Sequence, residues 1–181
     1  MRSEVPRSTK PRLLAAASQL FAERGFHGTT IRDIAGRAGV NVAAGNYHFG
    51  SKKALYLEVL RAQFANVREQ LVRQGASRPE SELRRLPRRE LEAVLAARTK
   101  VMLDLLIGPP PGLHATLMLR EMSDPSEALQ VIVDEFIAPF EHELENIVAH
   151  LLPDLDRHAV ESCARSIVGQ ALFYRFAMPA V

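Results

Sequence analysis

Between Ala44 and Lys52 the chain reads AGNYHFGSK, which places an amide, a phenol, an imidazole and an ammonium within seven residues. No carboxylate or cysteine stands among them, so the run lacks the groups that break bonds. It does hold groups that read nucleic acid: an amide pairs with a base edge, while phenol, imidazole and ammonium reach phosphate oxygens. The rings of Tyr47, His48 and Phe49 cannot all enter one core from consecutive positions, and the partner of the outward ones lies outside the protein.

Other chemistry is thinly represented. No G-x-G-x-x-G, P-loop or G-x-S-x-G elbow occurs, and HELEN, His142 to Asn146, has Asn where the H-E-x-x-H zinc signature needs its second His. His142, His150 and His158 recur every eight residues, drift about 80° per step on a helix and are interrupted by Pro153, so they share no face. The expectation is no enzyme, no metal and no cofactor. Cys163 is the lone cysteine, which allows no internal disulfide and points to a reducing cytoplasm. The opening MRSEVPRSTKPR is basic without the apolar stretch of a secretory signal, and no run of about 18 apolar residues follows to cross a membrane.

The groups at 44–52 need elements to position them. Leu13, Leu14, Ala17, Leu20 and Phe21 form one apolar face of a first helix after Pro11, and Gly25 stops it. Thr30 with Asp33 three residues on opens a second, short helix with Ile31, Ile34, Ala35 and Ala38 inward, ending near Gly39. Asn41 caps a third from Val42 to about His48. Two short helices joined through Gly39 form a helix-turn-helix, whose second helix lies in a major groove. Val42, Ala43 and Ala44 are then small enough to approach thymine methyls, Asn46 bonds a base, and Tyr47, His48 and Lys52 reach phosphates, with Thr30 and Asn41 completing the DNA-facing set. Lys52 also opens the next helix, where backbone N–H groups favour an anion. Phe49 turns back to the core.

Charge agrees. Up to Arg61 the chain has ten Lys or Arg against four Asp or Glu; the rest has thirteen against seventeen. A basic N-terminal third on a mildly acidic remainder suits a polyanion-binding head on a body with another task.

TTIRDIAGRAGVNVAAGNYHFGSKKALYLEVL resembles the DNA-binding head of TetR-type transcriptional regulators, with the match extending over residues 11–60: Phe21 and Gly25 before the Thr pair, Ile34-Ala35, Ala38-Gly39-Val40 at the turn, and Phe49 with Ser51-Lys52. The resemblance implies a homodimer on a palindromic operator in double-stranded DNA, and a C-terminal helical domain that binds a small-molecule effector. Asn46-Tyr47-His48 stands where many relatives have Tyr-His-Tyr, a shift that changes base readout rather than fold. Gly45 stands where relatives carry Leu or Ile, so Gly45→Ile is expected to stabilise the head by supplying an anchor and removing a helical glycine that costs roughly 1 kcal/mol.

The expected fold is therefore all-α, a three-helix DNA-binding head at 1–60 followed by a helical effector-binding and dimerisation domain at 61–181. Periodicity predicts helix four over Lys52–Gln74, linking head and body. GASRPESELRRLP, with Arg84, Arg85, Arg88 and Arg89, reads as a polar surface connection; a further DNA contact is the alternative for the arginines. A long helix spans Arg88–Ile107 and GPPPG breaks it. The segment LHATLMLREMSDPSEAL resembles the CecR-like branch of the family. A helix from Ser126 to about Leu152 carries Pro139 and is expected to kink there. Met102, Met118, Met122, Phe136, Phe140 and Phe173 either line an effector pocket or are plain core. The last helix, Arg157–Phe176, has an apolar stripe broad enough for a subunit interface; because the chain stops at MPAV, which helices form that interface is left open. The resulting function is a ligand-responsive DNA-binding transcriptional regulator, a repressor released from its operator by its effector. A DNA-binding adaptor or architectural protein, whose body binds another protein, is the alternative.

Overall fold

The computed structural model describes residues 8–107 and 112–177, and all regular structure among them is helical. The order is α1 (Thr9–Arg24), α2 (Ile31–Ala38), α3 (Val42–Phe49), α4 (Lys52–Arg73), α5 (Glu80–Leu83), α6 (Arg88–Ile107), α7 (Leu113–Ser123), α8 (Leu129–Ile132), a π-helix (Val133–Ile137), α9 (Ala138–Leu151) and α10 (Arg157–Ala177). Residues 1–7 of the basic opening, the GPPP of the proline loop, the final MPAV and the side chains of Phe176 and Ala177 lie outside the described residues. None of the described helices is long and apolar enough to cross a membrane.

The helices form two compact units, one reaching to Phe64 and including Leu113–Ile132, the other comprising Ala65–Gly112 and the chain from Val133. Segment 113–132 thus belongs with the N-terminal helices, although it follows residue 60 in sequence. In this first unit Leu13, Ala17, Leu20 and Phe21 of α1 are buried with Ile34 and Ala35 of α2 and Leu55, Tyr56, Val59 and Leu60 of α4. The Phe21 ring meets Tyr56 edge-on at 4.8 Å, and Phe26 lies 5.1 Å from the same tyrosine. Helix α7 is fixed to these helices by polar groups. The buried Glu121 carboxylate accepts from Tyr56 Oη at 2.9 Å and from the Ser126 amide at 2.8 Å and hydroxyl at 2.9 Å. Burial, followed by the adjacent Glu121, pushes the Tyr56 phenol far above the ordinary tyrosine range. Arg120 donates to the carbonyls of Ala22 and Glu23 at the end of α1.

The second unit packs α6, α9 and α10 against one another. Leu83, Leu91, Val94, Ile147 and Leu151 form one apolar cluster, and Leu71, Ala76 and Val101 another with Phe140 against it. Arg98 lies 1% exposed on the inner face of α6. Its Nη1 donates to Glu143 Oε2 at 2.8 Å and to the Ala76 carbonyl at 3.3 Å, Nη2 donates to the Phe140 carbonyl at 3.0 Å, and the guanidinium lies 4.2 Å from the Phe140 ring centre. Ser77 donates to the same Glu143 oxygen at 3.0 Å. Burial pulls the Arg98 guanidinium below its ordinary range, with Glu143 opposing that shift.

Three expectations are corrected. Helix α1 begins before Pro11, because a proline in the first turn lacks only an N–H that has no intrahelical partner there. The expected surface connection contains α5, whose Leu83 is buried, and also the buried Ala76. The helix expected from Ser126 with a kink at Pro139 is instead α8, a π-helix and α9, with Pro139 in the first turn of α9. Proline lacks the N–H that would point at the Glu135 carbonyl and its ring crowds that group, so the chain widens ahead of it and starts the α-helix afresh.

Glu143→Leu would leave Arg98 buried on two carbonyls and a ring face. The expected loss is about 3 kcal/mol, read by denaturant unfolding, with most of it recovered in Arg98→Met/Glu143→Leu. A double variant no more stable than the single one would sink this account.

Candidate nucleic-acid interface

The N-terminal end of α2 is closed by Thr30 and Asp33. The Asp33 amide donates to Thr30 Oγ1 at 3.1 Å, and Asp33 Oδ2 accepts from the Thr30 amide at 3.1 Å and its hydroxyl at 2.6 Å. The Thr30 hydroxyl, then its amide, hold the Asp33 carboxyl below the usual carboxylate range. At the other end Gly39 is left-handed, φ 64°, and its N–H returns to the Ala35 and Gly36 carbonyls. Asn41 follows with its side-chain oxygen accepting from the Ala43 amide at 2.9 Å. Thr30 and Asn41, both named as DNA-facing, are exposed, but their side-chain oxygens already cap helices.

Helix α3 presents Val42, Ala43, Asn46 and Tyr47 to solvent, with Ala44 and His48 half-buried beside them. Positions 42 and 46, and 43 and 47, lie one turn apart, so the four share a face. Val42 is 39% exposed and Tyr47 86%. The His48 ring stands edge-on between Tyr47, centroids 5.3 Å apart, and Phe49, 6.3 Å. Phe49 is buried, as expected.

Lys52 does not take the expected place. Its Nζ donates to the Phe26 carbonyl at 3.0 Å and lies 4.2 Å from the centre of the Phe26 ring. The ammonium finds an acceptor and an aromatic face in the loop after α1, and so holds that loop to the start of α4 instead of pointing at a ligand. Sequence reasoning also passed over Arg12, whose Nη2 reaches the carbonyls of Ala38 and Gly39.

The model for bacterial regulatory proteins of the tetR family matches residues 13–59. The C-terminal domain of the HTH-type transcriptional dual regulator CecR matches residues 87–181, more than half of the chain. The chain belongs to the TetR family. It is 30% identical over 147 residues to the transcriptional dual regulator CecR of Shigella flexneri, an alignment covering 77% of this chain and 63% of that protein. With the transcriptional regulator RutR of Escherichia coli K12 it shares 45% over 60 residues, 33% of this chain and 28% of that one. The chain therefore spans less than two thirds of the length of these relatives. Its fold is similar to that of the TetR-family regulator PfmR from Thermus thermophilus, with TM-score 0.61 and 20% identity over 94% of this chain and 86% of that one.

In this TetR-family chain the effector-pocket candidates are divided between the two units. Met118, half-buried, and Met122, 54% exposed, lie on α7 in the first unit; Met102, Phe136, Phe140 and Phe173 lie in the second. Met102 and Phe136 are buried, Phe140 packs on Arg98, and Phe173 is 66% exposed. Helix periodicity explains the outward pair. The buried face of α7 is Ala115, Leu117 and Glu121, which leaves Met122 outside it, and Phe173 is turned about 200° from the buried Ala171.

Gly45 overturns a second expectation. It is buried, and a Cβ there would stand 2.9 Å from Ile31 Cγ2, inside the closest approach of two carbons. Ile31 already occupies the space an apolar anchor at residue 45 would take. Gly45→Ile is expected to lower the melting temperature, at a cost of roughly 1–3 kcal/mol from overpacking. Adding Ile31→Ala should restore part of it, and a rise in melting temperature for Gly45→Ile alone would contradict this packing.

Proposed function

We propose that this TetR-family transcriptional regulator binds a palindromic operator in double-stranded DNA as a homodimer, represses from it, and is released by a small-molecule effector. The observation that carries the reading is the outward face of α3. Val42, Ala43, Asn46 and Tyr47 form a protruding set of small apolar, amide and phenol groups on a helix capped at Asn41. Small side chains suit thymine methyls, an amide suits adenine, and Tyr47 with His48 suits flanking phosphates. Residues 1–60 serve as the head in this reading. Thr30, Asn41 and Ala44 lie at its margin, and Lys52 acts through the loop it holds.

Residues 61–181 supply the body, in which the buried Met102 and Phe136 and the partly buried Phe140 are the candidates for an effector-lining set. Phe173 and Tyr174 project from α10 beside Ser166, Gly169 and Gln170, a surface suited to the second copy of the chain. Release follows if the effector favours a head separation unmatched to successive major grooves about 34 Å apart; coupling of this sort is typically about 1–3 kcal/mol. The site of action would be the cytoplasm.

Selection of random duplex DNA by the purified chain should return a palindromic consensus with a steep salt dependence. Asn46→Ala should then weaken binding about tenfold at one base-pair position, leaving discrimination elsewhere intact. Salt-sensitive binding with no consensus would replace the regulator with an architectural DNA-binding protein.

A further inference from the structure

The recognition helix is poorly held by its own side chains. Of its eight residues only Gly45 and Phe49 are buried, so its one buried side chain stands at the C-terminal end. The Asn41 cap bonds the helix to itself and fixes nothing outside it. Apart from the approach of Gly45 to Ile31, the N-terminal half, where Val42, Ala43 and Asn46 stand, takes its orientation from the turn before it.

That turn is gripped from α1. Arg12, half-buried and 26 positions away, donates from Nη2 to the Ala38 carbonyl at 2.5 Å and to the Gly39 carbonyl at 3.2 Å. The Gly39 and Val40 amides return to Ala35 and Gly36, closing earlier carbonyls and leaving those of Ala38 and Gly39 facing the guanidinium. Carbonyls at a helix C-terminus carry partial negative charge and favour a cation there. Gly39 makes the approach possible, because a Cβ at that position would stand 2.9 Å from Arg12 Nη2.

We infer that Arg12 is a positioning residue for base recognition: it locks the turn between α2 and α3 and thereby sets the aim of the base-reading face. The inference rests on the proposed DNA-binding function. A guanidinium near the start of α1 could instead meet a phosphate, and the two roles differ in what they change. A phosphate contact adds affinity for every sequence and about one to the salt slope. A clamp on the turn adds discrimination between sequences and leaves the slope alone.

The full-length chain and its Arg12→Gln and Arg12→Lys variants would be compared in two measurements. One is amide hydrogen exchange over Val40–Ala44 in the free protein; the other is affinity for the selected duplex and for a scrambled duplex of equal length across a salt series. The expected result is faster exchange at Val40–Ala44 in Arg12→Gln and an affinity ratio between selected and scrambled DNA reduced about tenfold, or ~1.4 kcal/mol. The slope on scrambled DNA should stay unchanged. Arg12→Lys, which keeps the positive charge on a shorter side chain, should recover part of the exchange protection and of the ratio, and it keeps the test open should Arg12→Gln fold poorly. Unchanged exchange in Arg12→Gln would overturn the clamp, as would an unchanged ratio with the slope lowered by about one. A wild-type chain that selects no sequence would sink the DNA-recognition reading instead, and the exchange data would still decide whether Arg12 holds the turn.

Discussion

An eight-residue helix cannot hold itself. Isolated helices shorter than about 12–15 residues are marginal in water, so the conformation of α3 is imposed by what it packs against. Most of the first unit can be understood as the means of imposing it. The Thr30–Asp33 capping box fixes the start of α2, left-handed Gly39 turns the chain, and Asn41 restarts it. Phe49 anchors the far end, and Gly45 lets the helix lie against Ile31 at a distance no side chain would permit. The outward residues are free to differ because the inward ones carry the geometry.

Polar groups do in this protein some of the fastening that larger cores leave to apolar contact. Glu121 in the first unit and Arg98 in the second are each 1% exposed. Each meets several partners: Tyr56 and Ser126 for the carboxylate, Glu143, Ala76 and Phe140 for the guanidinium. Burying a charge is costly without such partners, and replacing a buried pair by well-packed apolar groups is often neutral or stabilising. Their effect is therefore on geometry as much as stability: a bond from α7 to one phenol of α4, or from α6 to one turn and one carbonyl of α9, admits few alternative registers.

Helix positions and the turn were legible because they depend on local signals. Apolar periodicity, Thr30 and Asn41 as caps, and glycines at helix ends act within a few residues, and the observed bounds of α2, α3, α4 and α6 follow from them. What was illegible depends on pairs far apart in sequence. Lys52 and Phe26 are 26 positions apart, as are Arg12 and Ala38, and nothing near either cation names its acceptor. Gly45 misled because the residue filling its space, Ile31, belongs to another helix. Signals did exist for the buried charges. Glu121 falls four residues after Leu117, and Arg98 falls between Val94 and Val101 on the same apolar stripe. A charged residue on a buried stripe has to find a partner, even when the sequence does not say which.

The chain passes between its two units within α4, before α7 and after α8, and these passages differ physically. Across residues 64–65 it remains in an uninterrupted α-helix, whose backbone bonds resist bending unless a proline or bulge intervenes. Across residues 132–133 it leaves α-helix for the π-helix that Pro139 enforces downstream. A π segment is a less favourable state of the backbone than the α-helix on either side, and it persists only where its surroundings dictate it. Under the proposed function, with an effector bound in the second unit, Val133–Ile137 is the stretch with least α-helical structure to lose. That segment leads directly from the stretch Glu121 and Ser126 fasten to Tyr56. Allosteric coupling is typically about 1–3 kcal/mol, and in the proposed regulator a backbone that Pro139 already keeps out of the α-helix is where so small a difference would be met.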